Sequence, residues 1–149
     1  MTRVVVIVVA LGLTLSTAAA AKPTHAAAPR PVNLVATSAL KAQLRATFLR
    51  LHNTLAPARV RGPLRGRTYY GRYGSTKYAV TTFSVDGGTD DQPELFRRRS
   101  GGNWRDLGDT GGEVCPGRIP LPLIKLWSFV PTSYSIVAGK RVYCYAPSA

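Results

Sequence analysis

"TYYGRYGSTKYAVTTFSV", residues 68–85, is the stretch on which the fold class turns. It is crowded with aromatic and β-branched side chains, the types that suit a pleated, half-buried surface. Two such runs, TYYGRY and KYAVTTFSV, flank Gly74 and Ser75. Glycine first in a two-residue connection suits a type II′ turn, whose twist matches that of paired strands. The stretch predicts a β-hairpin.

Downstream, "DGGTDDQP", residues 86–93, reads as a polar loop. "ELFRRR" and "NWRDLG" then predict a second hairpin around Ser100, Gly101 and Gly102. Upstream, "PARVRGPLRGR", residues 57–67, is a loop rich in glycine, proline and arginine. Before it, Leu40, Leu44, Phe48, Leu51 and Leu55 recur at helical spacing, predicting an amphipathic helix over residues 37–55. Thr37 or Ser38 is placed to cap its start, and Pro57 to end it.

Towards the C-terminus, "PLPLIKLWSF" predicts a short helix with Leu123, Leu126, Trp127 and Val130 on one face. The tail "SYSIVAGKRVYCY" alternates enough to add an edge strand. The expected fold is therefore α+β. One long N-terminal helix packs on a four-stranded antiparallel meander, with a short C-terminal helix and one disulfide.

Residues 1–21 have the layout of a secretory signal peptide. One arginine precedes the apolar run of residues 4–15, and small alanines follow it. The run is short for a membrane span, although alanine-rich flanks leave an uncleaved anchor as the alternative. Residues 22–34, rich in proline and alanine, read as a spacer, leaving residues 35–149 as a single domain. The two cysteines, Cys115 and Cys144, are expected to form a disulfide in an oxidising compartment, with two free thiols as the alternative. With two histidines, they fall at no zinc-ligand spacing, so no metal and no cofactor is expected.

The net charge is +13, and its distribution is lopsided: all seven acids lie between Asp86 and Glu113. A GC-rich coding sequence accounts for arginine over lysine, but not for the missing acids. Such a field attracts polyanions and anionic surfaces. The candidate anion-binding residues are Arg59, Arg61, Arg65 and Arg67 in the loop, with Arg72 and Lys77 on the hairpin. The nearby tyrosines 69, 70, 73 and 78 give the mixture found on nucleic-acid surfaces, but export and the needs of a core argue against that partner.

"GDTGG", residues 108–112, is one hydroxyl from the chymotrypsin-type nucleophile motif, with Thr110 in the serine's place. That chemistry needs a histidine base, a buried aspartate and an oxyanion hole. Here His25 falls in the spacer and His52 near the helix end. Three glycines with Asp109 and Thr110 instead predict a turn. Asp106, Asp109 and Glu113 offer a carboxylate pair of the glycosidase kind. No phosphate-binding loop, dinucleotide fingerprint or HExxH motif occurs. The oxygen-rich "GGTDDQ" lacks the twelfth-position glutamate of a calcium loop.

The ordered set "YYGRYGSTKYAVTTFS", "TDDQPELFRR" and "GGNWRDLGDTGGEVCPGRIPLPLIKLW" resembles small secreted proteins of high-GC Gram-positive bacteria. These share a YYG…YAV.TFS strand pair, a DQPE.F turn, a GG.W…GDTGG segment and a VC…VP…L..W ending. The resemblance covers residues 68–127. It implies export and carries over no catalytic residue.

The function expected is that of a secreted, basic, non-enzymatic domain binding an anionic cell-wall polymer or membrane surface. The alternatives are a hydrolase using Asp106, Asp109 and Glu113, and a hydrolase inhibitor presenting residues 86–92.

Overall fold

The computed structural model describes residues 28–89 and 93–148. The expected signal peptide, most of the spacer and part of the 86–92 loop lie outside them. The expected layout of a long helix on a four-stranded meander is overturned: the chain is mostly β. The described residues form three antiparallel sheets, one α-helix of 14 residues and one of six.

The largest sheet has five strands. Its order is β1 (Pro31–Asn33), β3 (Thr68–Tyr73), β4 (Thr76–Thr81), β7 (Glu94–Arg98) and β8 (Arg105–Asp109). The added edge strand, β1, comes from the stretch expected as spacer and pairs Val32 with Arg72. Gly74, at φ 61°, turns the β3–β4 connection as the sequence predicts. A second sheet joins β2 (Val60–Arg61), β5 (Ser84–Val85) and β6 (Gly88–Thr89). Asp86 and Gly87 both take positive φ there, so part of the expected polar loop is a hairpin. The third is a hairpin of β9 (Val130–Val137) and β10 (Lys140–Ala146), so the tail forms its own sheet rather than an edge strand.

Helix α1, Ser38–Leu51, is shorter than its apolar stripe suggests. The Thr37 hydroxyl accepts from the Leu40 N–H at 3.2 Å and starts it. It ends at His52, well before Pro57, and Leu51 is exposed. Leu40, Leu44 and Phe48 pack with Tyr70, Ala79, Phe96 and Trp104 on one face of the large sheet. The opposite face carries Val80 and Leu95 against α2, Leu121–Leu126. Leu123, Ile124 and Trp127 are buried there, whereas Leu126 and Val130, expected on that face, are exposed. Gly71 lets α2 approach: a Cβ there would lie 2.7 Å from Leu123 Cδ2 and 2.9 Å from the Val32 carbonyl oxygen.

Cys115 and Cys144 are bonded to each other. Beside them, Val114 and Tyr145 exchange two backbone hydrogen bonds of 2.7 and 3.0 Å, fastening the C-terminal hairpin to the segment after β8. No helix among the described residues is long and apolar enough to cross a membrane.

Candidate functional site

Strand pairing gathers the positive charge at one end of the large sheet. Arg72 is directly opposite Lys77, and Lys77 directly opposite Arg98. Directly opposed residues project from the same face, so three cations form a row across three neighbouring strands. They line an open cleft of about 530 Å³ with Ser75, Arg99, Ser100, Gly101 and Gly102. Two adjoining clefts, of about 390 and 290 Å³, carry Arg97, Arg99 and Arg105, and Arg50 and Arg98. No acid is among the described residues lining these three clefts.

Arg98 is held in place. Its guanidinium lies over the Trp104 ring, 5.0 Å from the centroid. The Gln43 Oε1 accepts from Arg98 at 3.4 Å and from the Trp104 indole N–H at 3.2 Å. Helix, strand and hairpin loop thus fix one member of the row.

The loop arginines are arranged differently. Arg59 makes a two-point pair with the Asp86 carboxylate. That hydrogen bonding raises the Arg59 guanidinium and lowers the Asp86 carboxyl from their ordinary values. Arg61, Arg65 and Arg67 are exposed, with Arg61 on β2 and the other two in the loop before β3. Of the six arginine and lysine candidates, the cleft lining includes only Arg72 and Lys77.

The three acids considered for hydrolysis are engaged separately. Asp109 Oδ1 accepts from the Gly111 N–H at 2.7 Å inside the GDTGG turn. Glu113 accepts from the Ser133 hydroxyl at 2.5 Å, which with Thr132 lowers its carboxyl. Asp106 faces α1, where it meets His52 and Glu94. Burial raises the Asp106 carboxyl above its ordinary value, while the Gly108 N–H, His52, Glu94 and Arg118 oppose that rise. The GDTGG segment itself is a turn, with Gly108, Gly111 and Gly112 all at positive φ.

No protein-family model, curated protein or solved structure matches the chain.

Sequence reasoning missed Arg98 and Glu94. Both belong to "ELFRRR", where alternation puts residues 94, 96 and 98 on one face. With Phe96 inward, Glu94 had to be a core acid and Arg98 had to sit at the rim.

Proposed function

We propose that the protein is an exported binding domain that holds a phosphate-rich cell-envelope polymer along the row Arg72, Lys77 and Arg98. The observation that carries this reading is the row itself. Like charges directly opposite one another on neighbouring strands are destabilising. An anion spanning the cleft removes that repulsion and gains charge-assisted hydrogen bonds to two guanidinium groups and an ammonium. A repeating phosphodiester suits an open cleft better than a small ligand does, because the adjoining clefts continue the positive surface with Arg50, Arg97, Arg99 and Arg105. The apolar N-terminal run and the disulfide support export.

The test is retention on purified wall teichoic acid. The variant carrying Arg72→Ser, Lys77→Ser and Arg98→Ser should lose retention at low salt. A variant with Arg59, Arg61, Arg65 and Arg67 all changed to serine should keep most of it. The opposite ranking would move the binding surface to the loop, and retention by both variants would remove charge as its cause.

A further inference from the structure

Beneath the C-terminal end of α1, three chain segments bring one imidazole and two carboxyl groups together. His52 caps the helix, Glu94 opens β7 and Asp106 lies on β8. One ligand-type atom from each lies within 4.8 Å of the other two. The His52 Nε2 is 3.9 Å from Glu94 Oε1. Glu94 is only 7% exposed.

Two atoms of this group lack what buried polar atoms ordinarily have. The His52 Nε2 and Asp106 Oδ2 atoms are themselves shielded from solvent, although the His52 side chain as a whole is 37% exposed. Neither meets full hydrogen-bond geometry with another described residue, the Glu94 carboxyl being the group each lies against. Leaving such an atom unsatisfied costs about 1–3 kcal/mol, so native structures supply a partner. Here the two atoms converge with Glu94 on one small space.

We propose that His52, Glu94 and Asp106 bind a divalent transition-metal ion such as zinc. Imidazole nitrogen with carboxylate oxygen is a donor set for zinc and its neighbours, while calcium and magnesium take oxygen alone. Tetrahedral zinc holds its ligand atoms about 3.3 Å apart, so small side-chain rotations close the group around it. Phe48, whose ring centroid is 4.2 Å from that of His52, already limits where the imidazole goes. Three protein ligands leave a fourth position open. Asp106 also lines a cleft of about 300 Å³ with Arg50, Trp104 and Arg105. The ion ties the end of α1 to β7 and β8, joining the helix to the sheet through three elements distant in sequence. That separation is why ligand-spacing rules give no sign of the site.

The test uses the full chain with its disulfide intact. Equilibrium dialysis against Zn²⁺ should load one ion per chain, with Ca²⁺ unable to compete. His52→Gln, Glu94→Gln and Asp106→Asn should each weaken binding at least about tenfold, whereas His25→Gln should leave it unchanged. On the His25→Gln background, Zn²⁺ should also shift the Nε2 resonance of the remaining histidine, a readout that needs no further substitution to fold. Saturable loading with that shift establishes the site. Absence of saturable loading, loss of loading in His25→Gln, or an unmoved His52 resonance overturns it.

Discussion

Lys77 and Arg98 face each other directly across β4 and β7, two cations in paired positions on one face of the sheet. Arg72 extends the repulsion from the other side of Lys77. An arrangement of this kind costs stability in the free protein.

Lys77→Thr should therefore stabilise the protein while weakening its hold on the polymer. Threonine suits a strand, and both like-charge pairings vanish with it. The urea midpoint should rise with the slope unchanged, and teichoic acid retention should fall. A lower midpoint would mean that the lysine stem contributes more through packing than its charge costs.

The two glycines Gly71 and Gly111 should behave differently. A Cβ at Gly71 meets Leu123 Cδ2 at 2.7 Å and the Val32 oxygen at 2.9 Å, and that backbone atom cannot rotate away. Gly71→Ala should cost about 1–3 kcal/mol, as overpacking does. At Gly111, φ is 61° and nothing lies within 4 Å of a Cβ, so Gly111→Ala should cost only the backbone term of about 1–2 kcal/mol. Near-ultraviolet circular dichroism separates the two, because α2 carries Trp127 at its end: Gly71→Ala should change it and Gly111→Ala should not.

Thr110→Ala should be neutral or slightly stabilising. Its Oγ1 is buried with no hydrogen-bond partner among the described residues, so its removal deletes a desolvated group. Denaturant unfolding measures this directly. A loss above about 1 kcal/mol, the worth of one hydrogen bond, would reveal a partner for the hydroxyl.

Changing Cys115 and Cys144 together to alanine should cost up to about 3.5 kcal/mol in the chain-entropy account of a loop this size. Hydrogen exchange should accelerate first in β9 and β10, whose attachment the disulfide shares with the Val114–Tyr145 bonds. Teichoic acid retention should persist in the folded variant, because Arg105 and the basic clefts lie at the opposite end of β8.

The local elements were legible in the sequence, while their assembly was not. Gly74 placed the β3–β4 turn, Thr37 or Ser38 the helix cap, of which the structure uses Thr37, and the cysteine pair its bond. Leu51 and Leu55 extend the apolar stripe, but nothing in periodicity says that the chain leaves the helix at His52. The edge strand β1 carries one large apolar residue, Val32, and owes its place to pairing with β3. The tail formed a separate hairpin because Ala138 and Gly139, both at positive φ, turn it back on itself. At the site, local density of arginine pointed to the loop of residues 57–67. The charge row depends instead on register across β3, β4 and β7, which pairs residues far apart in sequence.

The most direct test of the binding account is the salt dependence of affinity for purified wall teichoic acid. Affinity for a polyphosphate falls with salt in proportion to the phosphates neutralised, by about 0.7 log units per contact for each tenfold rise in salt for a single strand. The chain carrying Arg72→Ser, Lys77→Ser and Arg98→Ser should be compared with the unaltered chain between about 50 and 500 mM salt, as the screening length falls from about 14 to 4 Å. The account predicts a slope shallower by about 2 in the variant, with its fold intact by circular dichroism. Equal slopes for the two proteins would contradict it.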